Sequence, residues 1–350
     1  FAACTVASAR LRLIPRTSSW QARSLLAQFS PFRTNHCSMG SGTPITLRAL
    51  AGTLASPALA VILALPIASW TYLKTYQGGG DLGLVLGLRV RTVAEILTFY
   101  VWFNMIMFWI RWGRMHDVLK QGIKAVASHA KETDAQLEEH VYQCSTRITA
   151  MVHNVVCLSF IAVAFSDPEL TSDKGEAASL TNVTPWSVLI TAISAGHFVW
   201  DLQICAGGHE GLAYFFHAIT GCIAMVLSCY NQVVQFYACW FLSWEMSTFF
   251  VHGRWFMHLF GMKDTKAYLY NGYCMLATFL VFRVISGPIC MYFFLSKAWG
   301  LHAAGKPPWR IEFTVFSTVG QIIMNGLNYY WFYKMVSGAV KHIYGSKKKN

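Results

Sequence analysis

The sequence contains few charged residues, and this shortage excludes a soluble globular protein. Asp, Glu, Lys and Arg together make up 13% of its 350 residues, whereas soluble domains carry roughly 25%. Hydrophobic residues make up 55% of the chain. The polar side chains are therefore too few to cover a folded domain in water, and much of the surface must face lipid.

Two further absences narrow the possible functions. No acidic residue precedes Asp81, and the 28 basic residues, against 16 acidic ones, are spread between apolar runs. A nucleic-acid-binding protein would cluster this charge on one soluble face, so no nucleic-acid partner is predicted. The ten cysteines lack the paired spacing of a metal site and mostly lie inside apolar runs. They are typical of small, buried hydrophobic side chains.

Long apolar segments are what the sequence has instead. Crossing the ~30 Å hydrocarbon core takes about 20 apolar residues in a helix, and backbone groups in lipid must be paired within that helix. Eight segments have this character: 49–70, 93–111, 147–166, 186–205, 211–229, 233–252, 269–295 and 313–336. The sequence therefore predicts an all-α fold, a polytopic transmembrane helical bundle with about seven to eight spans.

The segments divide the chain into four regions. Residues 1–48 hold six arginines and many Ser and Ala, which is typical either of a transit peptide or of a disordered basic leader, and both interpretations stay open. Residues 49–92 form an extra N-terminal transmembrane helix and loop, and 93–340 form the main bundle. Residues 341–350 form a basic tail.

The basic residues also predict the topology. Lys and Arg concentrate in cytosolic loops, and eight spans place 20 basic residues on the side of both chain ends against 7 on the other. The tail is therefore cytosolic, and Lys347 and Lys348 resemble a dilysine retrieval signal of the endoplasmic reticulum. The alternatives are an ordinary basic tail and, if residues 1–48 are a transit peptide, another organellar membrane.

The 112–146 loop is either a solvated connector, which we favour slightly, or an amphipathic helix on the leaflet.

Ionisable groups inside the apolar segments are candidate functional residues, because a charge near the bilayer centre costs at least ~2.5 kcal/mol. His197 and Asp201 are four residues apart and thus share a helix face, where the carboxylate is placed to accept a hydrogen bond from the imidazole. His217 and Thr220 form a second such pair. The structural alternative in each case is a buried polar pair that orients helices.

The later segments carry the strongest signals. Glu245, Thr248 and His252 lie on one stripe of the sixth segment. Arg283 lies near the middle of the seventh, and because it keeps its charge it requires a partner, for which Glu245 and Asp201 are the natural choices. Amides at 321, 325 and 328 share one face of the last segment, where the candidates Asn325 and Asn328 are more typical of helix–helix contacts than of chemistry.

A metal centre is not predicted. Histidines 153, 197, 217 and 252 lie on separate segments and are able to converge, but no His-x-x-x-His or Glu-x-x-His pair accompanies them. No cofactor is predicted either.

Several runs in this order and spacing resemble the TLC domain family, which includes the ceramide synthases, the translocating-chain-associating membrane proteins and a ceroid-lipofuscinosis protein of the endoplasmic reticulum. The resemblance covers about residues 93–340 and is nearest to the TLC-domain-containing protein 4 subgroup. The runs are VWDL at 199–202, FHA at 216–218, WEMSTFFVHGRWF at 244–256, YNG at 270–272, FRV at 282–284, and the polar last helix with Asn328 and Trp331.

The resemblance implies a helical bundle around a cavity that admits lipid or acyl chains. Ceramide synthases carry adjacent histidines and then two acids separated by two serines. Matched to this chain, the second histidine is His217 and the first acid is Glu245, whereas Phe216 and Thr248 replace the other two. One histidine and one acid are therefore missing, which puts ceramide synthesis in doubt.

Three functional hypotheses follow. The leading one is a lipid-homeostasis protein of the endoplasmic reticulum membrane that binds, senses or moves an acyl lipid, with membrane lipids as its partners. The second is an acyl-CoA-dependent N-acyltransferase of ceramide-synthase type, using acyl-CoA in sphingolipid synthesis with His217, Asp201 and Glu245 as catalytic residues. The third is a cargo receptor. The lipid-binding or cavity-lining candidates are His197, Thr220, Thr248, His252, Arg283, Asn325 and Asn328.

Overall fold

The described part of the chain is a helical bundle preceded by a minimal hairpin. The computed structural model describes residues 84–85, 88–207 and 211–347. The hairpin consists of β1 (Leu84–Val85) and β2 (Leu88–Arg89), which pair antiparallel. The helices are α1 (Val90–Trp112), α2 (Arg114–Lys124), α3 (Asp134–Phe165), α4 (Pro168–Thr171), α5 (Ala178–Thr181), α6 (Pro185–Ala206), α7 (Leu212–Asn231), α8 (Gln235–Leu242), α9 (Glu245–Leu259), α10 (Lys266–Phe279), a π-helical turn (Leu280–Ile285), α11 (Ser286–Ala303) and α12 (Ile311–Lys347).

The all-α prediction is confirmed, whereas the number of spans is not. Five helices are long and apolar enough to cross a membrane: α1 from Thr92, α3, α6, α7, and the continuous run Lys266–Ala303. They contain five of the eight predicted segments. The segment 49–70, the leader 1–48 and Lys348 lie outside the described residues, and Lys347 is described only as the last residue of α12.

Helix α6 is the centre of the bundle and packs against α1, α3, α7 and α8. Its start is fixed locally, because Thr184 and Ser187 form a reciprocal capping box and Pro185 occupies the first turn, where its missing N–H costs nothing. Gly196 allows the close approach of α1, since a Cβ there would lie 2.6 Å from the Cβ of Phe99 and 2.7 Å from the backbone nitrogen of Tyr100.

The prediction of one continuous helix over 233–252 is wrong. The chain forms α8, turns at Ser243 and Trp244, and continues as α9. The turn is tight, because the amide of Trp244 donates to the carbonyl of Phe241 and the amide of Ser247 to the carbonyl of Trp244, at 3.0 and 3.2 Å. These three-residue spacings differ from the four-residue spacing of an α-helix. Hydropathy does not distinguish one continuous helix from two helices separated by a tight turn.

The predicted segment 269–295 is one helical run with a wider π-helical turn, Leu280–Ile285, in its middle. Pro288 follows one turn later. A proline lacks the N–H that an α-helix needs and collides with the carbonyl four residues before it, here that of Val284, and the widened turn relieves this conflict. π-Turns of this kind often occur at functional sites, and this one contains Arg283.

The 112–146 loop is mostly helical, and its apolar face packs against the bundle while many of its other residues are exposed, so it is more than the plain solvated connector that was slightly favoured. Met115, Leu119 and Ile123 of α2 are buried, as are Leu137 and Val141 in the first two turns of α3. The apolar stripe seen in the sequence therefore belongs to the protein core rather than to a leaflet contact.

Candidate functional site

A narrow apolar cavity lies between α7, α8, α11 and α12, with a volume of about 110 Å³. Its length is roughly 16 Å at 1.5 Å per residue, because it runs from Arg283 to Phe294, eleven residues further along the same helical run. Aromatic rings provide much of the wall: Phe198, Tyr237, Phe241, Trp244, Phe294, Phe313 and Phe316.

One end of the cavity is polar and the other is apolar. His217, Thr220, Glu245, Arg283 and Gln321 line the polar end. The opposite end adjoins a separate hydrophobic cluster that contains Tyr237, Phe294 and Val234. A ligand matched to this shape has one polar group and one slender hydrocarbon tail.

Arg283 is the electrostatic centre of the polar end. Its side chain is 5% exposed. The Nε donates to the Ser247 hydroxyl at 2.8 Å and to the Trp244 carbonyl at 3.2 Å, and Nη2 donates to the Thr248 hydroxyl at 2.7 Å. Nη1 donates to the amide oxygen of Asn328 at 3.4 Å. A buried guanidinium requires such a set of acceptors.

The carboxylate of Glu245 pairs with Arg283 at longer range. Its Oε1 lies 4.0 Å from Nη2 of Arg283, which is an ion pair without a direct hydrogen bond at that distance. Of the two partners expected from the sequence, Glu245 is thus the one that faces Arg283. A ligand's polar group could therefore compete for Arg283 without breaking a short hydrogen bond to Glu245.

The turn between α8 and α9 explains why these residues converge. Glu245 begins α9 directly after the turn at Ser243 and Trp244, so the Trp244 carbonyl accepts a three-residue backbone bond from the amide of Ser247, at 3.2 Å, and has a second lone pair to offer. The Trp244 carbonyl accepts from Arg283 as well as from the Ser247 hydroxyl, the latter at 3.0 Å. The indole of Trp240 also donates to the Ser286 hydroxyl at 2.7 Å, which ties α8 to the start of α11 beside the π-turn.

His217 faces the same end from α7. Its ring contacts Trp331 of α12 edge-on, with centroids 5.5 Å apart, and its Nδ1 is buried and has no hydrogen-bond partner among the described residues. Gly221, one turn on, leaves room for Phe198, since a Cβ there would lie 2.8 Å from that ring. An imidazole with an unpaired nitrogen at a cavity wall is equipped to accept or donate a hydrogen bond to a ligand.

The other candidates from the sequence lie outside the cavity wall. Thr248 and Asn328 accept hydrogen bonds from Arg283 but do not line the cavity. Asn325 donates to the Gln321 carbonyl at 2.9 Å and contacts Met291 of α11, in keeping with a helix–helix contact. Asp201 lies near the end of α6 and is partly exposed, and His252 lies in α9 with its Nδ1 buried.

The expected hydrogen bond between His197 and Asp201 is absent, because His197 turns into the core. Its ring stacks on His153, with centroids 3.8 Å apart and planes 6° apart, and neither of its nitrogens has a hydrogen-bond partner among the described residues. A metal ion lies in the plane of each imidazole that binds it, so two parallel stacked rings do not converge on one ion. His153 and His197 therefore do not share a metal ion in this arrangement.

Sequence reasoning missed two groups at the polar end, the Ser247 hydroxyl and the Trp244 carbonyl, and it treated Gln321, which lines the cavity, only as one of the amides of a helix–helix contact. Ser247 lies between Glu245 and Thr248, which the sequence singled out. From the sequence alone it was only one more hydroxyl close to Glu245, an expected partner of Arg283. The Trp244 carbonyl depends on the helix break and leaves no signal in hydropathy.

The fold and the site define a class: a multi-pass helical membrane protein with an apolar cavity that has a buried arginine at one end. Residues 143–337 match the model of the TLC domain, and the chain belongs to the TLC domain family. The family expectation from the sequence is therefore confirmed. No solved structure matches the chain.

Three curated fungal relatives are similar to the chain. An uncharacterized TLC domain-containing protein of Schizosaccharomyces pombe is 29% identical over 161 residues, covering 45% of this chain and 54% of the relative. Topoisomerase I damage affected protein 4 of Saccharomyces cerevisiae is 31% identical over 173 residues, covering 46% and 59%. An uncharacterized TLC domain-containing protein of the same yeast is 23% identical, covering 72% and 84%. The matches to the first two thus span little more than half of each relative.

Proposed function

We propose that this protein binds a single-chain acyl lipid, or one chain of a larger lipid, in the cavity and acts in lipid homeostasis of the endoplasmic reticulum membrane. The observation that carries the proposal is the two-ended cavity, with aromatic and aliphatic walls along its length and Arg283, Glu245 and His217 at one end. A hydrocarbon tail gains roughly 0.8 kcal/mol per methylene removed from water. Inside a bilayer that gain largely disappears, so the polar end supplies most of the selectivity.

The chemistry of the polar end favours an acidic or strongly polar headgroup. Arg283 already binds four protein acceptors, yet its partner carboxylate stays 4.0 Å away. A headgroup oxygen that replaces part of this interaction receives a charge-assisted hydrogen bond. The unpaired Nδ1 of His217 offers a second polar contact.

Under the predicted topology, the polar end belongs to the cytosolic half of the bilayer. His217 is in the second turn of α7, just after the short cytosolic connection from α6. Lipid would enter from the cytosolic leaflet, with its tail running towards the lumenal ends of α11 and α12.

The test is lipid retention by a protein whose cavity has been filled. Ala224 lines the cavity wall and is itself exposed, so the ring of Ala224→Trp can occupy the cavity without displacing a buried side chain. Ala277→Trp is the matched control, because Ala277 is exposed on α10 and does not line the cavity. We expect mass spectrometry of the purified protein to detect one bound lipid class in the wild type and in Ala277→Trp, and to lose it in Ala224→Trp.

Equal lipid retention in both tryptophan variants would refute the proposal. Folding of each variant is checked by a monodisperse elution profile and by its melting temperature. A loss confined to Ala224→Trp, with both proteins folded, separates cavity binding from general annular lipid.

An acyl-CoA-dependent N-acyltransferase is the second candidate, and one observation favours it: His217 lies at the cavity wall with an unpaired ring nitrogen, close to Arg283 and Glu245. An imidazole in this position is a usable base or nucleophile. The assay is ceramide formation from acyl-CoA and sphingoid base in membranes stripped of endogenous ceramide synthases. Product that disappears in His217→Ala but persists in His302→Ala, a histidine outside the cavity, identifies an enzyme.

The cargo-receptor hypothesis depends on the tail, where Lys348 lies outside the described residues. Changing Lys347 and Lys348 to Ala tests it. Onward movement from the endoplasmic reticulum supports a retrieval signal, whereas an unchanged location counts against it.

A further inference from the structure

Away from the cavity, a compact group of metal-ligating side chains lies where the segment between α2 and α3 meets α3. His129 and Glu132 belong to the connecting segment, and His140 is in the second turn of α3. One ligand atom from each residue lies within 4.8 Å of the other two. Under the predicted topology this group lies on the cytosolic face, separate from the lipid cavity.

The distances are close to those of a metal site. The Nδ1 of His129 lies 2.8 Å from Oε1 of Glu132, and the Nε2 of His140 lies 3.2 Å from Oε2. Ligand atoms about 2.0–2.2 Å from Zn²⁺ are separated by roughly 3.3–3.5 Å in a tetrahedral site. A movement of well under 1 Å therefore brings these two pairs to ligand spacing.

The two imidazole rings are inclined to each other rather than stacked. Their centroids are 5.0 Å apart and their planes are inclined by 66°. This arrangement contrasts with the parallel stack of His153 and His197 in the core, whose planes are only 6° apart. Two stacked parallel rings do not share an in-plane ion, whereas inclined rings are able to.

Two polar atoms of the group are buried without a hydrogen bond among the described residues: Oε2 of Glu132 and Nδ1 of His140. Oε2 lies 3.2 Å from Nε2 of His140 without a hydrogen bond between the two atoms. A cation bound to both atoms would satisfy this buried carboxylate oxygen. In metal sites the second nitrogen of a ligating histidine normally donates to water or to an oxygen acceptor, and Nδ1 of His140 is free for that role.

The backbone holds the ligands in place without a metal. The amide of His129 donates to the Val126 carbonyl at 2.8 Å, and the amide of Glu132 donates to the His129 carbonyl at 3.1 Å. Thr133 then caps α3 in a capping box with Gln136. The three ligands are thus carried by consecutive hydrogen-bonded turns and one helix, so little conformational entropy is lost when they bind an ion.

We propose that His129, Glu132 and His140 bind a divalent transition-metal ion, Zn²⁺ above all, with water as the fourth ligand. Two neutral imidazoles and one carboxylate are a known Zn²⁺ ligand set that leaves one position open. Bound metal clamps the α2–α3 connection onto α3. The same set of contacts without a metal is an ordinary His–Glu charge pair, and the experiment separates the two.

The experiment is titration of the full chain, purified in detergent through a tag without histidine, with ZnCl₂ by isothermal calorimetry. We expect one saturable site per chain. Its affinity should fall in His140→Ala and in Glu132→Gln by more than the roughly 10–100-fold that changes outside the first ligand shell cost. Glu132→Gln keeps the side-chain shape, so it remains informative if His140→Ala fails to fold.

His116→Ala is the matched control. His116 also pairs with a glutamate, at 3.0 Å from Oε2 of Glu138, but it does not belong to the three-residue group. We expect this variant to bind Zn²⁺ like the wild type. Substitution of Co²⁺ should give the intense visible absorption of a four-coordinate site. The absence of saturable Zn²⁺ binding in the wild type, or equal binding in Glu132→Gln, overturns the proposal.

Discussion

Removal of the charge on Arg283 is the perturbation with the largest expected effect on stability. In Arg283→Leu the Ser247 and Thr248 hydroxyls lose their donor and Glu245 keeps a buried charge without its cation. Breaking a buried ion pair from one side typically costs about 3–5 kcal/mol. We expect a loss of stability in this range.

The reciprocal change, Glu245→Leu, should cost less stability than Arg283→Leu. The double change should show that the two side chains are energetically coupled. At 4.0 Å two unit charges interact by about 4 kcal/mol at an effective dielectric constant of 20, and measured couplings between contacting groups are about 0.5–3 kcal/mol. We therefore expect Arg283→Leu with Glu245→Leu to be about 1–3 kcal/mol more stable than the sum of the single changes predicts.

The assay is a double-mutant cycle measured by reversible unfolding in mixed detergent micelles, followed by tryptophan fluorescence. Arg254→Leu serves as a control, because this arginine lies over the Tyr268 ring at 4.0 Å near the end of the bundle rather than in the buried network. Additive costs for Arg283→Leu and Glu245→Leu would refute the reasoning, since they would show that the two groups do not interact.

Two further predictions concern positions outside the polar network. Gly196→Ala should destabilise the bundle by about 1–3 kcal/mol, because the new Cβ meets Phe99 of α1. Gly326→Ala, whose new Cβ meets nothing within 4 Å, should be neutral or stabilise by up to about 1 kcal/mol. Thermal unfolding in detergent measures both variants, and equal effects would contradict the packing argument. The hydrogen bond with Glu138 raises the pKa of His116 above its usual 6.5, against the opposing effect of partial burial. The resulting stabilisation is therefore complete below pH 6.5 and lost as pH rises through the folded-state pKa. We expect less than about 1 kcal/mol from this partly exposed pair, and its absence in His116→Gln; a melting temperature whose pH dependence is unchanged in that variant would count against it.

Composition and hydropathy predicted the helical class and five of the apolar helices, because lipid imposes long apolar segments on any spanning helix. The same reasoning identified Arg283 and Glu245, since buried charges in such segments are rare. It failed at the α8–α9 break and at the π-turn around Arg283. Both are set by a few hydrogen bonds and by Pro288, and they barely alter the hydropathy of the segment.

Two side-chain arrangements were equally hidden. The stacking of His153 on His197 depends on how α3 packs against α6, which sequence spacing does not encode. His129, Glu132 and His140 escaped notice because the residues span the junction of a turn and a helix. A search for His-x-x-x-His and Glu-x-x-His pairs does not find the reversed pair His129-x-x-Glu132 or its more distant partner His140.

The most direct test of lipid binding in the cavity is photo-crosslinking with a fatty acid that carries a diazirine near its terminal methyl group, followed by mass spectrometry of the labelled peptides. We expect adducts at the apolar end of the cavity, on the buried side chains of Tyr237 or Phe294, and their loss in Ala224→Trp but not in Ala277→Trp. Adducts confined to outward-facing residues such as Tyr292 and Phe293, with none in the cavity, would contradict this expectation.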